Sequence, residues 1–222
     1  MKIVANSKIT DICFCINWFD DISIIRCLES LPKGSHKLVI DGKYRDFESD
    51  NELSNDILRK EVLSYDNVTL LDAPNLIELE KRNVYLKHCK QRFAFNIDSD
   101  EYIEYVDWNL FLKGITPLKT DLRNIWIRHH SKQGTYDIMP RLISNPNEWE
   151  LYGAHWIFRR KDTGYIHRVL EDKVWLDVNI MVLGHNHKYR TKQWTESRNN
   201  YSKILVKQED SATKKYASEI RN

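Results

Sequence analysis

The run Phe93-Ala94-Phe95-Asn96-Ile97-Asp98-Ser99-Asp100-Glu101 constrains this chain more than any other stretch, because an alternating apolar pattern ends in three carboxylates. Phe93, Phe95 and Ile97 recur at period two, the spacing of a strand with one face in the core. A strand that continues to Asp100 sends Asp98 and Asp100 to the same side of the sheet, so two negative charges converge where the apolar pattern stops. Hard oxygen ligands at this spacing suit Mg²⁺ or Mn²⁺, which are held by one or two carboxylates together with phosphate oxygens of a substrate. Taken alone, an acidic pair at a strand end is more often a simple turn, so the neighbouring elements decide its meaning.

Those elements follow a regular order. Asp11 to Asn17 reads as a strand, Asp20 and Asp21 as helix caps, and Ile22, Ile25, Leu28 and Leu31 as the apolar stripe of the helix they open. Lys37 to Gly42 is a short buried strand closing on Asp41-Gly42, and Val68 to Asp72 is another of the same kind. Between them Leu53, Ile57 and Leu58 mark an amphipathic helix opening near Ser49 or Asp50, and a further helical pattern covers about 75–89. Strands alternating with helices predict an α/β fold, a mostly parallel sheet flanked by helices. Ligands of such sheets bind beyond the carboxyl ends of the strands. Asn17, Asp41, Asp72 and the Asp98/Asp100 pair all fall there.

These blocks, in this order, resemble the family 2 glycosyltransferases, whose fold is the Rossmann-like GT-A nucleotide-sugar fold. Cys15-Ile-Asn17-Trp-Phe-Asp-Asp with Ile25-Arg-Cys-Leu-Glu-Ser30-Leu31 is similar to the family's opening strand and following helix. Val39-Ile-Asp41-Gly42 is similar to the strand whose Asp-Gly meets the nucleotide base, Lys81-Arg82-Asn83 stands in the place of an "ARN" helix, and Asn96 to Glu101 resembles the D-x-D-E metal motif. Met139-Pro-Arg141-Leu142 resembles a "PRLF" segment of the lipopolysaccharide-core type, and Gly184-His185-Asn-His187 a late histidine motif, followed by Arg198-Asn-Asn-Tyr201 on a helical pattern. The resemblance implies nucleotide binding by Cys15, Asn17, Asp41, Lys81, Arg82, Asp98 and Ser99. It implies a metal held by Asp98, Asp100 and His185 or His187, and single-displacement, inverting transfer of a sugar from a UDP- or GDP-sugar donor to a glycan, lipid-linked or protein acceptor. Relatives commonly carry His-Glu between these blocks, whereas this chain has Gly153-Ala-His155-Trp156 and Tyr165-Ile-His167-Arg168. Glu171, Asp172 and Asp137 are therefore all candidates for the general base that takes the acceptor proton.

His155 and His167, flanked by aromatic or aliphatic residues, read as hydrogen-bonded core or rim residues. Two other function classes share the acidic-pair chemistry: a sugar nucleotidyltransferase, although no Gly-rich basic loop follows the first strand, and a sugar-binding module with a structural ion. At 222 residues and 41% hydrophobic, the chain has the size of one catalytic domain. Its expected bounds are 1–207, with a nucleotide-sugar half at 1–104, an acceptor half at 105–207 and a polar basic tail at 208–222. The net charge of +2 gives no reason to invoke nucleic acid. Between Lys188 and Asn222, however, Lys and Arg outnumber Asp and Glu by nine to four, which suits pyrophosphate or peripheral contact with an anionic membrane surface. Cys13, Cys15, Cys27 and Cys89 lack zinc-type spacing and read as reduced, packed thiols of a cytoplasmic protein. No apolar stretch approaches the roughly 20 residues of a membrane span.

Overall fold

Ile12–Asn17 forms the central strand β1, and its six residues are buried on both faces because the sheet carries a layer on each side. Ile12, Phe14 and Ile16 point into one core with Ile24, Cys27 and Leu28 of helix α1 (Ser23–Ser30). The alternate residues Cys13 and Cys15 point into a second core with Tyr85 and Leu86 of helix α3 (Glu78–His88). This computed structural model describes residues 7–18, 22–42, 54–76, 78–116, 122–130, 135–153, 157–167 and 176–185.

The remaining strands are β2 (His36–Asp41), β3 (Val68–Asp72), β4 (Phe93–Asp98), β5 (Glu101–Val106), β6 (Leu122–His129), β7 (Thr135–Ser144) and β10 (Met181–His185). They join β1 in one sheet of order β3-β2-β1-β4-β7-β6-β10-β5, while β8 (Trp149–Gly153) and β9 (Ile157–Arg160) form a separate antiparallel pair. β1 runs parallel to β2 and β4, β2 to β3, and β6 to β10, whereas β7 and β5 are antiparallel to their neighbours. The carboxyl ends of β1, β2, β3, β4, β6 and β10 therefore share one edge. The amino ends of β5 and β7 open onto it.

The first half follows the expected strand and helix order with shifted helix starts. Helix α2 (Asp56–Ser64) is capped by Asn55, whose side chain accepts from the Ile57 amide at 2.8 Å, so it does not open at Ser49 or Asp50. Ile57 stands 77% exposed, and Val62 supplies the buried contact instead. Asn75 takes a left-handed conformation, which starts α3 three residues later than the apolar pattern suggests. Asp20, Asp21 and Leu53 lie outside the described residues, as do the end of the expected domain and its basic tail. A further helix, α4 (Trp108–Ile115), is capped by Asp107 and packs Phe111 and Ile115 on the α1 side of the sheet. Among the described residues no helix is long and apolar enough to cross a membrane.

β4 is buried on both faces, so the period-two reading caught only half of its environment. Phe95 packs with its ring centroid 5.1 Å from Phe14 and 6.3 Å from Phe111. Phe95→Ala should lower stability by about 3–5 kcal/mol in urea unfolding, because the close-packed ring leaves a cavity. A loss under about 1 kcal/mol would show that this layer is loosely packed.

Candidate functional site

The register of β1 and β4 sets Asn17 directly opposite Asp98 at the carboxyl edge. The Ser99 amide donates to the Asn17 carbonyl at 3.1 Å, and the Trp18 amide donates to Ile40 on the other side at 3.1 Å. Asn17 is fully buried, yet neither Oδ1 nor Nδ2 finds a hydrogen-bond partner among the described residues. A buried amide left in that state costs about 1–3 kcal/mol per group, so the position calls for a partner beyond the described residues.

The acidic run does not continue as a strand. β4 ends at Asp98, Ser99 and Asp100 form a turn, and β5 departs from Glu101. The reason is local. The Ser99 amide is drawn back to Asn17, and the Asp98 amide donates to Glu101 Oε2 at 2.9 Å, so the chain folds onto its own carboxylate. The expected convergence of Asp98 and Asp100 on one strand face is thereby replaced by a division of partners. Asp98 turns to α3, where Arg82 donates to Oδ1 at 2.6 Å and also to the Tyr85 hydroxyl at 3.3 Å. Asp100 turns to β10, with Oδ2 3.2 Å from His185 Nε2. Glu101 pairs with Arg141 of β7, 40 positions away.

Asp98, Asp100 and Glu101 are 3%, 4% and 1% exposed, which is tolerable only because each carboxylate has a cationic or imidazole neighbour. Burial pushes the Glu101 carboxyl above its usual range, against the opposing pull of the Arg141 guanidinium.

At the end of β2, Asp41 is likewise buried and held by neighbours that its sequence context does not announce. It accepts from the Gly42 amide at 2.7 Å and the Ser54 hydroxyl at 2.6 Å. Arg59 of α2 bridges it to Asp72, its register partner on β3, with 2.7 Å to Asp72. Gly42 has φ +130°, and a Cβ there would stand 2.7 Å from the Pro74 nitrogen, so the Asp-Gly turn admits no larger residue. Lys81 is fully buried and donates its ammonium to the Gly42 carbonyl, tying α3 to this turn.

Cys15 lies fully buried two residues before Asn17, in the core beneath the edge. Ser99 is also buried, its amide spent on Asn17. Asp137 is exposed near the amino end of β7, on the same edge of the sheet. Glu171, Asp172, His155, His187 and the Arg198–Tyr201 segment lie outside the described residues. His167 is buried with Nε2 3.2 Å from Asn124 Oδ1, the hydrogen-bonded core histidine expected. Arg59, Ser54 and the role of Arg141 escaped sequence reasoning. A lone Arg inside the apolar run Met139 to Ile143 was the one available signal, since a buried guanidinium requires an acid.

No family model matches this sequence, and no curated protein matches it. Among solved structures, Staphylococcus aureus TarS 1-349 in complex with UDP-GlcNAc superposes with a TM-score of 0.57 at 15% identity, covering 83% of this chain and 60% of that one. TarS 1-349 in another crystal structure gives 0.48 at 16% identity, over 60% of this chain and 47% of that one. GalNAc-T7 with UDP, GalNAc and Mn²⁺ gives 0.41 at 12% identity, over 82% and 44%. The chain thus spans less than two thirds of the length of the TarS chains it matches. With the strand order described above, the UDP-GlcNAc complex of TarS establishes the GT-A fold.

The Glu101–Arg141 pair is a structural bridge under the acidic turn. Arg141→Met should cost about 3–5 kcal/mol, because it strands a buried carboxylate. In a double-mutant cycle, Glu101→Gln should recover part of that loss, giving a coupling of about 0.5–3 kcal/mol. Strictly additive effects would mean that the two side chains do not sense each other.

Proposed function

We propose that this protein transfers a sugar from a nucleotide-diphosphate donor to an acceptor hydroxyl, with inversion and with a divalent cation, Mn²⁺ or Mg²⁺. The observation that carries this reading is the Asp100–His185 pair, 3.2 Å apart at the carboxyl edge of a GT-A sheet, beside the unpartnered amide of Asn17. An acidic oxygen and an imidazole nitrogen are a donor set that such an ion accepts when water and phosphate oxygens complete its shell. When bound, the ion supplies neutralisation of the charge that grows on a departing diphosphate.

The protein's own groups do the rest. Asn17 offers a donor and an acceptor to the nucleoside, Asp41 fixes the turn against which the base would lie, and Lys81 and Arg82 hold positive charge near the phosphates. Asp98, pinned by Arg82, positions the turn that presents Asp100. Asp137, Glu171 and Asp172 remain the candidates for taking the acceptor proton. The lipopolysaccharide-core type of family 2 transferases is the nearest pattern for the whole set of blocks. A single catalytic domain ending near residue 207, cytoplasmic and peripheral to a membrane through its basic end, is the arrangement this reading favours. Its acceptor in this reading is a hydroxyl of a glycan, a lipid-linked sugar or a protein.

In a thermal-shift screen of nucleoside diphosphates with and without Mn²⁺, one nucleotide should raise the melting temperature only with the metal. At 100 times its dissociation constant the ligand adds about 2.7 kcal/mol. Asp100→Ala should remain folded and lose that metal-dependent shift, with slow hydrolysis of the matching nucleotide sugar falling on the order of 10²–10³-fold. Release of pyrophosphate instead of a nucleoside diphosphate would assign the protein to the nucleotidyltransferases, and binding with no turnover would make it a sugar-binding module.

A further inference from the structure

The cysteine spacing gives no metal pattern, but the fold makes one. Cys13 and Cys15 lie two apart on β1 and share the face that meets α3, and Cys89 follows directly on the end of that helix. All three are buried, and their sulfurs lie within 4.8 Å of one another. A tetrahedral ion with metal–sulfur bonds near 2.3 Å sets its thiolates about 3.8 Å apart, so the trio needs little adjustment to hold one. We propose that Cys13, Cys15 and Cys89 form a binding site for a soft divalent d¹⁰ cation, Zn²⁺ or its analogue Cd²⁺, separate from the Asp100–His185 edge.

Two neighbours complete the site. His36 is the register partner of Cys13 on β2, so its side chain rises from the same face of the sheet; it stands outside the three-sulfur cluster and would have to close onto the ion to give a Cys₃His set. Asn96 is the register partner of Cys15 on β4, fully buried, and its amide has no hydrogen-bond partner among the described residues. An amide N–H beside a thiolate is the kind of outer group that tunes a metal site. Three thiolates around one divalent charge leave a single net negative charge in the core, whereas hard oxygen ligands are absent from the trio. The ion would tie the C-terminal end of α3, the helix that carries Lys81 and Arg82, to the strand that carries Asn17.

The test is titration of the full, reduced chain with Cd²⁺, followed by the ultraviolet thiolate-to-metal charge-transfer band and by native mass spectrometry. One ion per chain is expected, with a rise in melting temperature. Cys89→Ala should weaken binding by more than the 10–100-fold that loss of an outer-shell partner costs, and Cys27→Ala, whose thiol sits in the opposite core, should leave it unchanged. ¹¹³Cd NMR of the unaltered protein counts sulfur ligands without relying on any variant. A three-sulfur resonance at one equivalent supports the site. No uptake, or an ion bound through nitrogen and oxygen alone, overturns it.

Discussion

Three buried carboxylates packed into four consecutive positions are the constraint around which this structure is arranged. Asp98, Asp100 and Glu101 could not leave water together unless a cation or a hydrogen-bonding partner met each of them, and the fold draws those partners from three distant places. Arg82 comes from α3, His185 from the far strand β10, and Arg141 from β7. The long connections between halves are therefore tied to the chemistry of one turn. Moving any of these elements would expose or strand a charge, which gives the candidate site a rigid floor.

That floor also explains the division of labour at the sheet edge. Asp98 has Oδ1 engaged by Arg82, and that pair locks the turn. An Asp beside an imidazole is well placed to share a metal, since the neutral histidine is itself a common ligand. The same pattern recurs at β2, where Arg59 bridges Asp41 and Asp72 and Ser54 occupies a carboxylate oxygen of Asp41. Acidic residues at strand ends are in this protein held from elsewhere in the fold, Asp41 by the following loop and helix and Asp72 and Asp98 by the helix that precedes their strand.

The strands of the first half could be read from the chain because their signals are local. β3 and the end of β4 coincide with apolar runs, and Asp41-Gly42 marks a turn that backbone crowding by Pro74 enforces. What lay hidden depends on contacts between residues far apart in the chain. Nothing in Met139 to Leu142 says that Arg141 will meet Glu101, and nothing around Cys89 says that it will join Cys13 and Cys15. The mistaken expectation that Asp98 and Asp100 share a face came from extending a two-residue period across a turn whose hydrogen bonds, Ser99 to Asn17 and Asp98 to Glu101, cannot be inferred from spacing. Helix starts shifted for a similar reason: the caps at Asn55 and the left-handed Asn75 override the apolar stripes.

The central claim is that the turn after β4 and the end of β10 together hold a divalent ion against a nucleotide diphosphate. Anomalous diffraction at the manganese edge, from crystals grown with Mn²⁺ and a nucleoside diphosphate, examines it most directly. The account requires an anomalous peak bonded to Asp100 and His185 and to diphosphate oxygens. A peak elsewhere, or a nucleotide bound away from Asn17 with Asp100 still bonded only to protein, would contradict it.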